Sequence, residues 1–363
     1  MSGIHRIGVL TAGGDCPGLN AVIRAVAKTA MNRYNLEVYG IEDGFLGLIQ
    51  NRMHPLTNES VSNILTLGGT ILGTNNRVTP RSYPVTTNGV TENRDVTDRC
   101  LEHIAHNQLD AIVVIGGDGS MTVTSHFVRI GVNCIGVPKT IDNDLFGTDV
   151  TFGFATAVSI ATEALDRVHT TAASHHRAMV VEVMGRNAGW IALHAGVATG
   201  TDVILIPEIP YDIDKVCQYV LARSRRGKRF SMICVSEGAR SKEGGQVVKR
   251  IDTTSADPIR LGGIGQKVAF DIEAATRIET RTVILGHVQR GGTPVAADRV
   301  LATEFGGAAV ELLVAGERGR LVVMKGGIVT HIPLEEAANK QRLVPLDLPL
   351  LLMARNIGTC FGD

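Results

Sequence analysis

The sequence lacks a long hydrophobic run and an excess of charge of either sign. Lys+Arg and Asp+Glu each number 36 among the 363 residues, so the formal net charge is zero. This balance argues against a nucleic-acid binder that depends on bulk positive charge, and against an acidic tail. No stretch approaches the roughly 18 apolar residues of a membrane span, and the apolar run at 7–10 is too short for a signal peptide. We therefore expect a cytoplasmic protein with neither a nucleic-acid nor a membrane partner.

Paired cysteines and aromatic residues are scarce as well. The six cysteines are scattered without a Cys-x-x-Cys pair, which argues against a disulfide framework and favours a reducing compartment. Aromatic residues make up 4% of the chain, so the core must be built mainly from Val, Ile, Leu and Ala. Glycine is abundant, with 41 residues, and without a collagen-like repeat this excess indicates turns or ligand-binding loops.

The dominant pattern is an alternation of short β-rich runs and helix-like stretches. Most of the runs are apolar on both faces, which is typical of parallel strands covered by helices. We predict strands at 7–10, 111–115, 132–137, 179–183, 203–206, 232–235 and 282–285, and helices at 20–31, 96–106, 155–171, 188–198, 214–225 and 264–277. The segment 50–93 is less periodic and is predicted to form long functional loops. The alternation predicts an α/β fold with right-handed crossovers, and the length predicts about two domains.

The residues that follow the predicted strands carry the chemistry. In doubly wound sheets, ligands bind at the carboxyl ends of the strands, where the strand order reverses. Two strands run into Gly-Gly-Asp turns, at Gly13-Gly14-Asp15 and at Gly116-Gly117-Asp118. Glycine lets the backbone approach an anion closely, and a helix that starts just beyond adds its positive end. One such turn is an ordinary strand-to-helix connection, but two parallel copies favour phosphate binding.

Acidic and basic side chains follow other strands. Asp142 and Asp144 lie directly after the predicted strand at 132–137; one can accept a proton from a substrate hydroxyl, and the other can orient it or help to hold Mg²⁺. Arginines stand just before or after predicted strands, at Arg177, Arg186, Arg281 and Arg290, with His287 beside the last. A single arginine is usually a solvated surface residue, but four near strand ends favour phosphate clamps.

Other signatures are absent or weak. The chain contains neither Gly-x-x-x-x-Gly-Lys-[Ser/Thr] nor Gly-x-Gly-x-x-Gly, so it has neither a P-loop nor a dinucleotide fingerprint. His103 and His106 share a face of a predicted helix, but no third ligand is evident, and a zinc site is not favoured.

Taken together, these segments resemble the 6-phosphofructokinase family. The resemblance covers about residues 5–310 and rests on six ordered motifs: Gly13-Gly14-Asp15-x-Pro17-Gly18-x-Asn20, Gly68-Gly69-Thr70, Gly116-Gly117-Asp118-Gly119-Ser120, Pro138-Lys139-Thr140-Ile141-Asp142-Asn143-Asp144, Val183-Met184-Gly185-Arg186 and Gly286-His287-Val288-Gln289-Arg290-Gly291-Gly292. It implies transfer of a terminal phosphoryl group to the 1-hydroxyl of fructose 6-phosphate. It also implies two Rossmann-like three-layer α/β/α domains with mostly parallel sheets and an active site between them. The approximate boundaries are 1–153 plus about 288–338 for the donor domain, and 154–287 plus about 339–363 for the sugar-phosphate domain.

The resemblance implies roles for individual residues. Asp142 is implied as the catalytic base, Asp144 as its support and Arg186 as a stabiliser of charge on the transferred group. The implied donor site consists of Gly13, Arg77, Gly117, Asp118, Gly119 and Ser120, with Asp118 toward Mg²⁺. The implied sugar-phosphate site consists of Thr140, Asp142, Met184, Gly185, Arg186, Glu237, His287 and Arg290, with Arg177 and Arg281 reaching it from a neighbouring subunit.

The family is commonly a homotetramer with effector sites between subunits, and a dimer is the alternative here. Arg24 and the basic residues Arg225, Arg226, Lys228 and Arg229 can serve an effector, or simply form a solvated basic face.

Two positions give opposite indications about the phosphoryl donor. The positions are 119 and 139. Nucleotide-using members of the family have Gly at both, whereas pyrophosphate-using members have Asp at the first and Lys at the second. This chain has Gly119 with Lys139. A carboxylate at 119 would intrude where the α-phosphate of a nucleotide must lie, whereas Lys139 leaves that space open. The resemblance therefore favours ATP with Mg²⁺, and pyrophosphate or ADP are the alternatives.

Two hypotheses from other classes remain. One is a lipid or NAD-type kinase, since those enzymes also use Gly-Gly-Asp-Gly loops; the Thr-Ile-Asp-Asn-Asp and His-x-Gln-Arg-Gly-Gly segments count against it. The other is a non-catalytic regulatory subunit of the same fold, which is disfavoured because Asp118, Asp142, Arg186 and Arg290 are all present.

Overall fold

Strands and helices alternate along the chain in the computed structural model, which describes residues 3–251 and 259–363. The strands are β1 (Arg6–Thr11), β2 (Glu37–Ile41), β3 (Met53–Pro55), β4 (Tyr83–Thr87), β5 (Val90–Arg94), β6 (Ala111–Gly116), β7 (Cys134–Pro138), β8 (Ala178–Val183), β9 (Val203–Leu205), β10 (Ser231–Ser236), β11 (Val248–Ile251), β12 (Ile259–Leu261), β13 (Thr280–Ile284), β14 (Arg320–Lys325) and β15 (Ile328–Pro333). The helices are α1 (Leu19–Tyr34), α2 (Phe45–Gln50), α3 (Thr97–His106), α4 (Asp118–Arg129), α5 (Phe154–His175), α6 (Trp190–Ala198), α7 (Ile213–Arg225), α8 (Ile264–Thr276), α9 (Ala296–Val314), α10 (Leu334–Ala337) and α11 (Pro349–Asn356), and a 3₁₀ helix spans Gly286–Arg290.

The first sheet has seven strands in the order β15-β14-β7-β6-β1-β2-β3. Its central strands are parallel, and the edge strands β3 and β15 are antiparallel to their neighbours. From β1 the chain passes through α1 to β2 on one side, whereas β6 and β7 lie on the other side of β1. The strand order therefore reverses between β1 and β6, which opens a crevice at their carboxyl ends.

The second sheet has four parallel strands in the order β13-β8-β10-β9. After β8 the chain crosses through α6 to the far edge at β9 and then returns to β10, whereas β13 joins the opposite side of β8. This sheet has its reversal between β8 and β13. Each sheet thus presents one crevice at the carboxyl ends of its strands.

Helices cover both sheets on both faces. One buried cluster lies between the sheets and joins side chains of β1, β6 and β8, including Val9, Val113 and Val181. The outer face of the first sheet is covered by α3 and α4, and that of the second sheet by α7 and α8. The strands β6, β8 and β10 are buried along their whole length, as expected from their apolar residues on both faces. The predicted α/β class, with mostly parallel three-layer arrangements, is confirmed.

The segment 50–93 contains more regular structure than the sequence predicted. Strand β3 pairs with β2, and β4 forms an exposed hairpin with β5 through Asn88 and Gly89. Both turn residues have positive φ, 52° and 80°, which suits an Asn-Gly turn of the kind that fits the twist of two-residue hairpins. That dipeptide was the available signal for the hairpin. None of the helices in the described ranges has the length and hydrophobicity of a membrane span.

Candidate active site

A cleft of about 840 Å³ opens where the two crevices face each other. It brings together most of the residues that the sequence singled out: Gly13, Arg77, Gly117, Asp118, Gly119, Ser120, Lys139, Thr140, Asp142, Met184, Arg186, Glu237, His287 and Arg290 line it. The carboxyl ends of β1, β6 and β7 supply one wall, and those of β8, β10 and β13 supply the other. The expectation that residues following the strands converge is confirmed.

The loop after β1 is hydrogen-bonded to residues 74 and 75. The Gly13 backbone N–H donates to the carbonyl of Asn75 at 3.2 Å, and the Thr74 hydroxyl donates to the carbonyl of Gly13 at 2.6 Å. Gly13 has φ 82°, and a side chain there would begin 3.5 Å from both Nζ of Lys139 and Oγ of Ser120. These distances are ordinary contacts, so it is the positive φ that favours glycine at this position.

The loop after β6 leads directly into a helix whose first turn faces the cleft. Helix α4 begins at Asp118, with Gly117 as its N-cap. Oδ1 of Asp118 accepts the backbone N–H of Gly119 at 2.7 Å, and a carboxylate in the first turn is favoured by the helix dipole. The free N–H groups at such a helix start form an anion-binding site. Among the described residues, no atom lies within 4 Å of where a Cβ at Gly119 would be.

Lys139 is the most enclosed cation of the cleft. Its side chain is 4% exposed, and its ammonium group donates to the carbonyl of Gly14. Burial lowers the pKa of Lys139 below its ordinary value. The ammonium group thus ties the end of β7 to the loop after β1.

The loop after β7 carries two carboxyl groups in different surroundings. Oδ1 of Asp142 is buried and accepts no hydrogen bond within the described part of the chain. Burial raises the pKa of Asp142; Arg290 opposes this rise and Asp118 adds to it. Burial, followed by the negative charges of Asp142 and Asp118, raises the pKa of Asp144 to about 8. At neutral pH, Asp144 is therefore mostly protonated.

Thr140 connects these two carboxyl residues. Its hydroxyl accepts the backbone N–H of Asp142 at 3.1 Å and lies 3.3 Å from Oδ1 of Asp144. The side chain of Asn143 points away from the cleft, where its Oδ1 accepts the N–H of Thr151 at 3.0 Å. These bonds fix the loop backbone and hold Asp142 at the cleft.

The wall from the second sheet is positioned by a fully buried glutamine. Oε1 of Gln289 accepts the backbone N–H of Met184 at 3.3 Å, and its Nε2 donates to the carbonyl of Gly286 at 3.1 Å. This side chain joins the end of β8 to the 3₁₀ helix that carries His287 and Arg290. Gln289 thus has a structural role in the Gly286–Gly292 motif, whose residues His287 and Arg290 line the cleft.

Arg290 and Glu237 add opposite charges to this wall. Nη1 of Arg290 reaches across to the carbonyl of Asp15 at 2.9 Å, so its guanidinium spans both sides of the cleft. Burial, with the nearby Asp142 and Glu182, raises the pKa of Glu237 to about 7. The cleft therefore combines the basic side chains Arg77, Lys139, Arg186 and Arg290 with the acidic residues Asp15, Asp118 and Asp142.

The chain by itself does not bring Arg177 and Arg281 to the cleft. Arg177 precedes β8 and Arg281 is the second residue of β13, so both lie at the amino ends of strands whose carboxyl ends form the site. Both pair with Glu279, Arg177 through Nε at 2.7 Å. Arg186 and Arg290, by contrast, follow their strands and therefore lie at the carboxyl ends, which face the cleft.

The basic residues near the end of α7 also lie away from the cleft. Arg225, Arg226, Lys228 and Arg229 are all exposed. Their neighbour Arg223 pairs instead with Asp202 at 2.8 Å. An effector-binding role for the exposed residues stays a prediction.

Several cleft contacts were not predicted from the sequence. Phe45, Asn75 and Val123 line the cleft, and Gln341 donates through Nε2 to Oδ2 of Asp118 at 2.9 Å. Gln341 lies in the C-terminal segment, where no motif drew attention to it. Asn75 and Val123 gave no signal because neither residue type is diagnostic of a ligand loop.

Two carboxyl residues of the cleft, Asp118 and Asp142, are of the type that could hold Mg²⁺ together with the phosphates of a ligand. Mg²⁺ is usually held by one or two carboxylates together with substrate phosphates. No cluster of three or more His, Cys, Asp or Glu suited to a metal occurs within residues 3–251 and 259–363, so a cage of protein ligands alone is absent there. Asp118 and Asp142 line the same cleft. His103, considered as a zinc ligand, bonds through Nδ1 to the carbonyl of Leu48 at 2.9 Å.

A cleft between two doubly wound sheets, with an anion-binding helix start and a buried carboxylate that has one unpartnered oxygen, defines a phosphoryl-transfer type of site. The family model for phosphofructokinase matches residues 6–313. The chain is 51% identical over 365 residues to ATP-dependent 6-phosphofructokinase 2 of Clostridium perfringens, covering 100% of both chains. It is 48% identical over 363 residues to ATP-dependent 6-phosphofructokinase of Spirochaeta thermophila, covering 99% of this chain and 98% of that one.

Solved structures agree with these matches. The fold is similar to a crystal structure of Pichia pastoris phosphofructokinase, with a TM-score of 0.79, 32% identity, and coverage of 93% of this chain and 36% of that longer chain. The chain belongs to the phosphofructokinase family.

Proposed function

We propose that the protein transfers the terminal phosphoryl group of ATP to the 1-hydroxyl of fructose 6-phosphate, giving fructose 1,6-bisphosphate and ADP, a step of glycolysis. The curated relatives described above, similar over the full length of the chain, are ATP-dependent 6-phosphofructokinases. The observation that carries the proposal is the buried, unpartnered Oδ1 of Asp142 at the cleft between the two sheets. A carboxylate oxygen without a partner is available to a substrate hydroxyl.

In this mechanism Asp142 accepts the proton of the sugar 1-hydroxyl. The oxygen attacks the terminal phosphorus of the donor, and the bond from that phosphorus to the bridging oxygen of the leaving ADP breaks. Asp144 stays protonated at neutral pH and supports the loop through Thr140. Because the transition state is loose, positioning and charge neutralisation do most of the catalysis, and no covalent nucleophile is needed.

Positive groups surround the path of the transferred phosphoryl group. Arg186 and the start of α4 offer hydrogen-bond donors to its oxygens, and Lys139 adds a buried charge beside them. Arg290 and His287, on the wall from the second sheet, are assigned to the 6-phosphate together with the backbone at Met184 and Gly185. Glu237, whose raised pKa allows it to donate or accept a hydrogen bond near pH 7, is assigned to a sugar hydroxyl.

Mg²⁺ would be held by Asp118 together with the donor phosphates. When bound, it supplies positive charge that stabilises the charge developing on the phosphate oxygens. Asp118 is suited to this because its two hydrogen bonds leave lone pairs on both oxygens.

The donor wall favours a nucleotide. The position of Gly119 is exposed and borders open space, and Val123 lies one turn further along α4 on the same face. Phe45 and Val123 give the cleft an apolar lining beyond the phosphate-binding turn, which suits a base and not a bare pyrophosphate.

The direct test is a panel of ATP, ADP, GTP and pyrophosphate with fructose 6-phosphate and Mg²⁺. We expect ATP to have the highest kcat/KM, measured by formation of fructose 1,6-bisphosphate. Pyrophosphate as the best donor would overturn the assignment of ATP while leaving the acceptor assignment intact.

We further propose a homo-oligomer, a tetramer or a dimer, in which Arg177 and Arg281 complete the sugar-phosphate site of a neighbouring subunit. Both are partly exposed at the amino ends of β8 and β13, where Glu279 pairs with their guanidinium groups. Their distance from the cleft of their own chain supports a role in another chain.

Mixing two inactive variants is expected to restore activity if the site is shared. An Arg177→Ala chain keeps Asp142, and an Asp142→Asn chain keeps Arg177, so a hybrid oligomer contains some sites with both residues intact. Turnover should be measured on hybrids whose composition is verified by native mass spectrometry. Hybrids that form but show no more activity than either parent would contradict a shared site.

The domain division follows the sheets in this proposal. The first sheet draws its strands from 6–138 and 320–333, and the second from 178–284, which supports a donor domain of 1–153 plus about 288–338. The C-terminal segment joins the second sheet, because the N–H of Ile204 donates to the carbonyl of Cys360 at 2.9 Å. All six cysteines are unpaired, which supports a cytoplasmic location.

A further inference from the structure

The segment 339–344, here called the C-terminal strap, reaches the donor wall through the side chain of Gln341 and through Asn339, whose N–H donates to the hydroxyl of Thr122 at 3.1 Å. Nε2 of Gln341 donates to Oδ2 of Asp118 at 2.9 Å, while Oδ1 of the same carboxylate accepts the N–H of Gly119 at 2.7 Å. Each oxygen of Asp118 therefore has one fixed partner. The rotation of the carboxylate about its last bond is set by these two contacts, one from α4 and one from the strap.

The strap is itself firmly attached to the loop that carries the two aspartates. The N–H of Arg342 donates to the carbonyl of Asp144 at 2.7 Å, and Nη1 of Arg342 donates to the carbonyl of Asp149 at 2.8 Å. Gln341 forms an isolated antiparallel bridge with Leu145. The amide that orients Asp118 therefore moves with the backbone of the Asp142–Asp144 loop.

The strap is also attached to the second sheet. The guanidinium of Arg342 lies over the ring of Trp190, 4.2 Å from its centroid, and the indole N–H donates to the carbonyl of Arg342 at 3.0 Å. Two residues further on, the N–H of Val344 donates to the carboxylate of Glu208 at 2.8 Å. The contacts of Asn339 before Gln341, and of Arg342 and Val344 after it, thus hold the Gln341 side chain beside Asp118.

We propose that Gln341 is a positioning residue that orients the Asp118 carboxylate toward the cation accompanying the donor, which deepens the phosphoryl-transfer function proposed above. A neutral amide is suited to this role. It supplies one N–H to fix the carboxylate, and it leaves the negative charge that a divalent cation needs, whereas a lysine or arginine there would neutralise it. Partners behind a ligating carboxylate fix its orientation, and their loss typically weakens metal binding by about 10–100-fold.

The test measures divalent-cation binding in the absence of the sugar, so that no turnover occurs. Gln341→Met keeps the length of the side chain and removes the N–H donor, and Gln341→Ala is a second variant in case the first does not fold. The dissociation constant of Mn²⁺ in the presence of ATP, followed by electron paramagnetic resonance, is expected to rise about tenfold. The KM for fructose 6-phosphate is expected to stay within about twofold, and excess Mg²⁺ is expected to restore most of kcat.

Lys340→Ala is the matched control on the same strap. Its ammonium lies over the ring of Phe146, 5.0 Å from the centroid, and Lys340 does not line the cleft. Its Mn²⁺ affinity should match that of the wild type.

An unchanged Mn²⁺ affinity in a folded Gln341→Met or Gln341→Ala protein would overturn the inference. An equal loss in Lys340→Ala would do so too, because it would assign the effect to the strap as a whole. Failure of the proposed function has a different signature, namely a wild-type protein that forms no fructose 1,6-bisphosphate from any donor of the panel.

Discussion

Replacing Asp142 with asparagine is expected to lower kcat by about 10²–10⁴-fold, the usual effect of losing a general base. The amide has the shape of the carboxyl group but cannot take the proton of the 1-hydroxyl. Binding of fructose 6-phosphate should remain, because the phosphate contacts assigned to His287 and Arg290 are unaltered. Single-turnover rates and equilibrium binding of the sugar phosphate on the same preparation separate the two effects. A near-normal kcat would mean that another group accepts the proton.

Asp144→Asn is the matched control for this variant. The pKa of Asp144 is raised to about 8, so the residue is already uncharged at neutral pH, and an amide reproduces its neutral form. We expect a much smaller loss of kcat than for Asp142→Asn. An equal loss in the two variants would contradict the distinct roles of the two aspartates.

The raised pKa of Asp142 sets the direction in which kcat/KM depends on pH. The folded-state pKa of Asp142 lies above the ordinary 3.8, so the base is ionised above that raised value and becomes protonated as the pH falls through it. The acid limb of the kcat/KM profile should therefore lie above pH 3.8 in the wild-type protein. The residual activity of Asp142→Asn should lack this limb.

The sequence was sufficient for those parts of the site that depend on strand ends. Runs of apolar residues that lead into Gly-Gly-Asp predict both where a parallel strand stops and which side chains its end presents. Because parallel strands stop at a common edge, Gly13, Asp118 and Asp142 were expected to meet, and they line one cleft. Local pattern and a general rule of sheet architecture are enough for this step.

Contacts between distant segments could not be predicted in the same way. Gln341 and Asp118 are 223 positions apart, and a lone glutamine after a short helix has no distinguishing pattern. The strap reaches Asp118 only because Trp190, Glu208 and the backbone of the Asp144 loop guide it there, and each of these contacts is a property of the folded chain. The elements completing the first sheet after residue 311 were missed for a related reason: β14 adds beside β7, which is far from it in sequence.

Arginine positions illustrate a third case. Arg177, Arg186, Arg281 and Arg290 all stand near strand ends, but strand direction decides which end faces the cleft. Two of them follow their strands and reach it, whereas the other two precede or begin theirs and pair with Glu279. Direction can be read from the sequence once the strand boundaries are known to within one or two residues, so boundary errors limit the prediction.

Gly119, to which we assign the choice of phosphoryl donor, lies where the structure leaves room for a side chain. Gly119 is exposed, and a Cβ built there meets nothing within 4 Å among the described atoms. A side chain at 119 is therefore accommodated without displacing the protein, and its effect on catalysis comes from what it does to the donor. Lys139, by contrast, already uses its ammonium group to hold the carbonyl of Gly14.

Gly119→Asp is accordingly expected to depress the use of ATP far more than the use of pyrophosphate. Two like unit charges about 4 Å apart repel by roughly 4 kcal/mol at an effective dielectric near 20. Because water in the open cleft screens part of this, we expect a loss of about a hundredfold in kcat/KM for ATP. Pyrophosphate has no α-phosphate and escapes the repulsion.

Lys139→Gly is the control, since it removes a cation that serves the reacting phosphate of any donor and should slow both donors to a similar extent. If Gly119→Asp leaves the ATP-to-pyrophosphate ratio of kcat/KM unchanged, position 119 does not select the donor. The preference for a nucleotide would then depend on the apolar lining at Phe45 and Val123 alone.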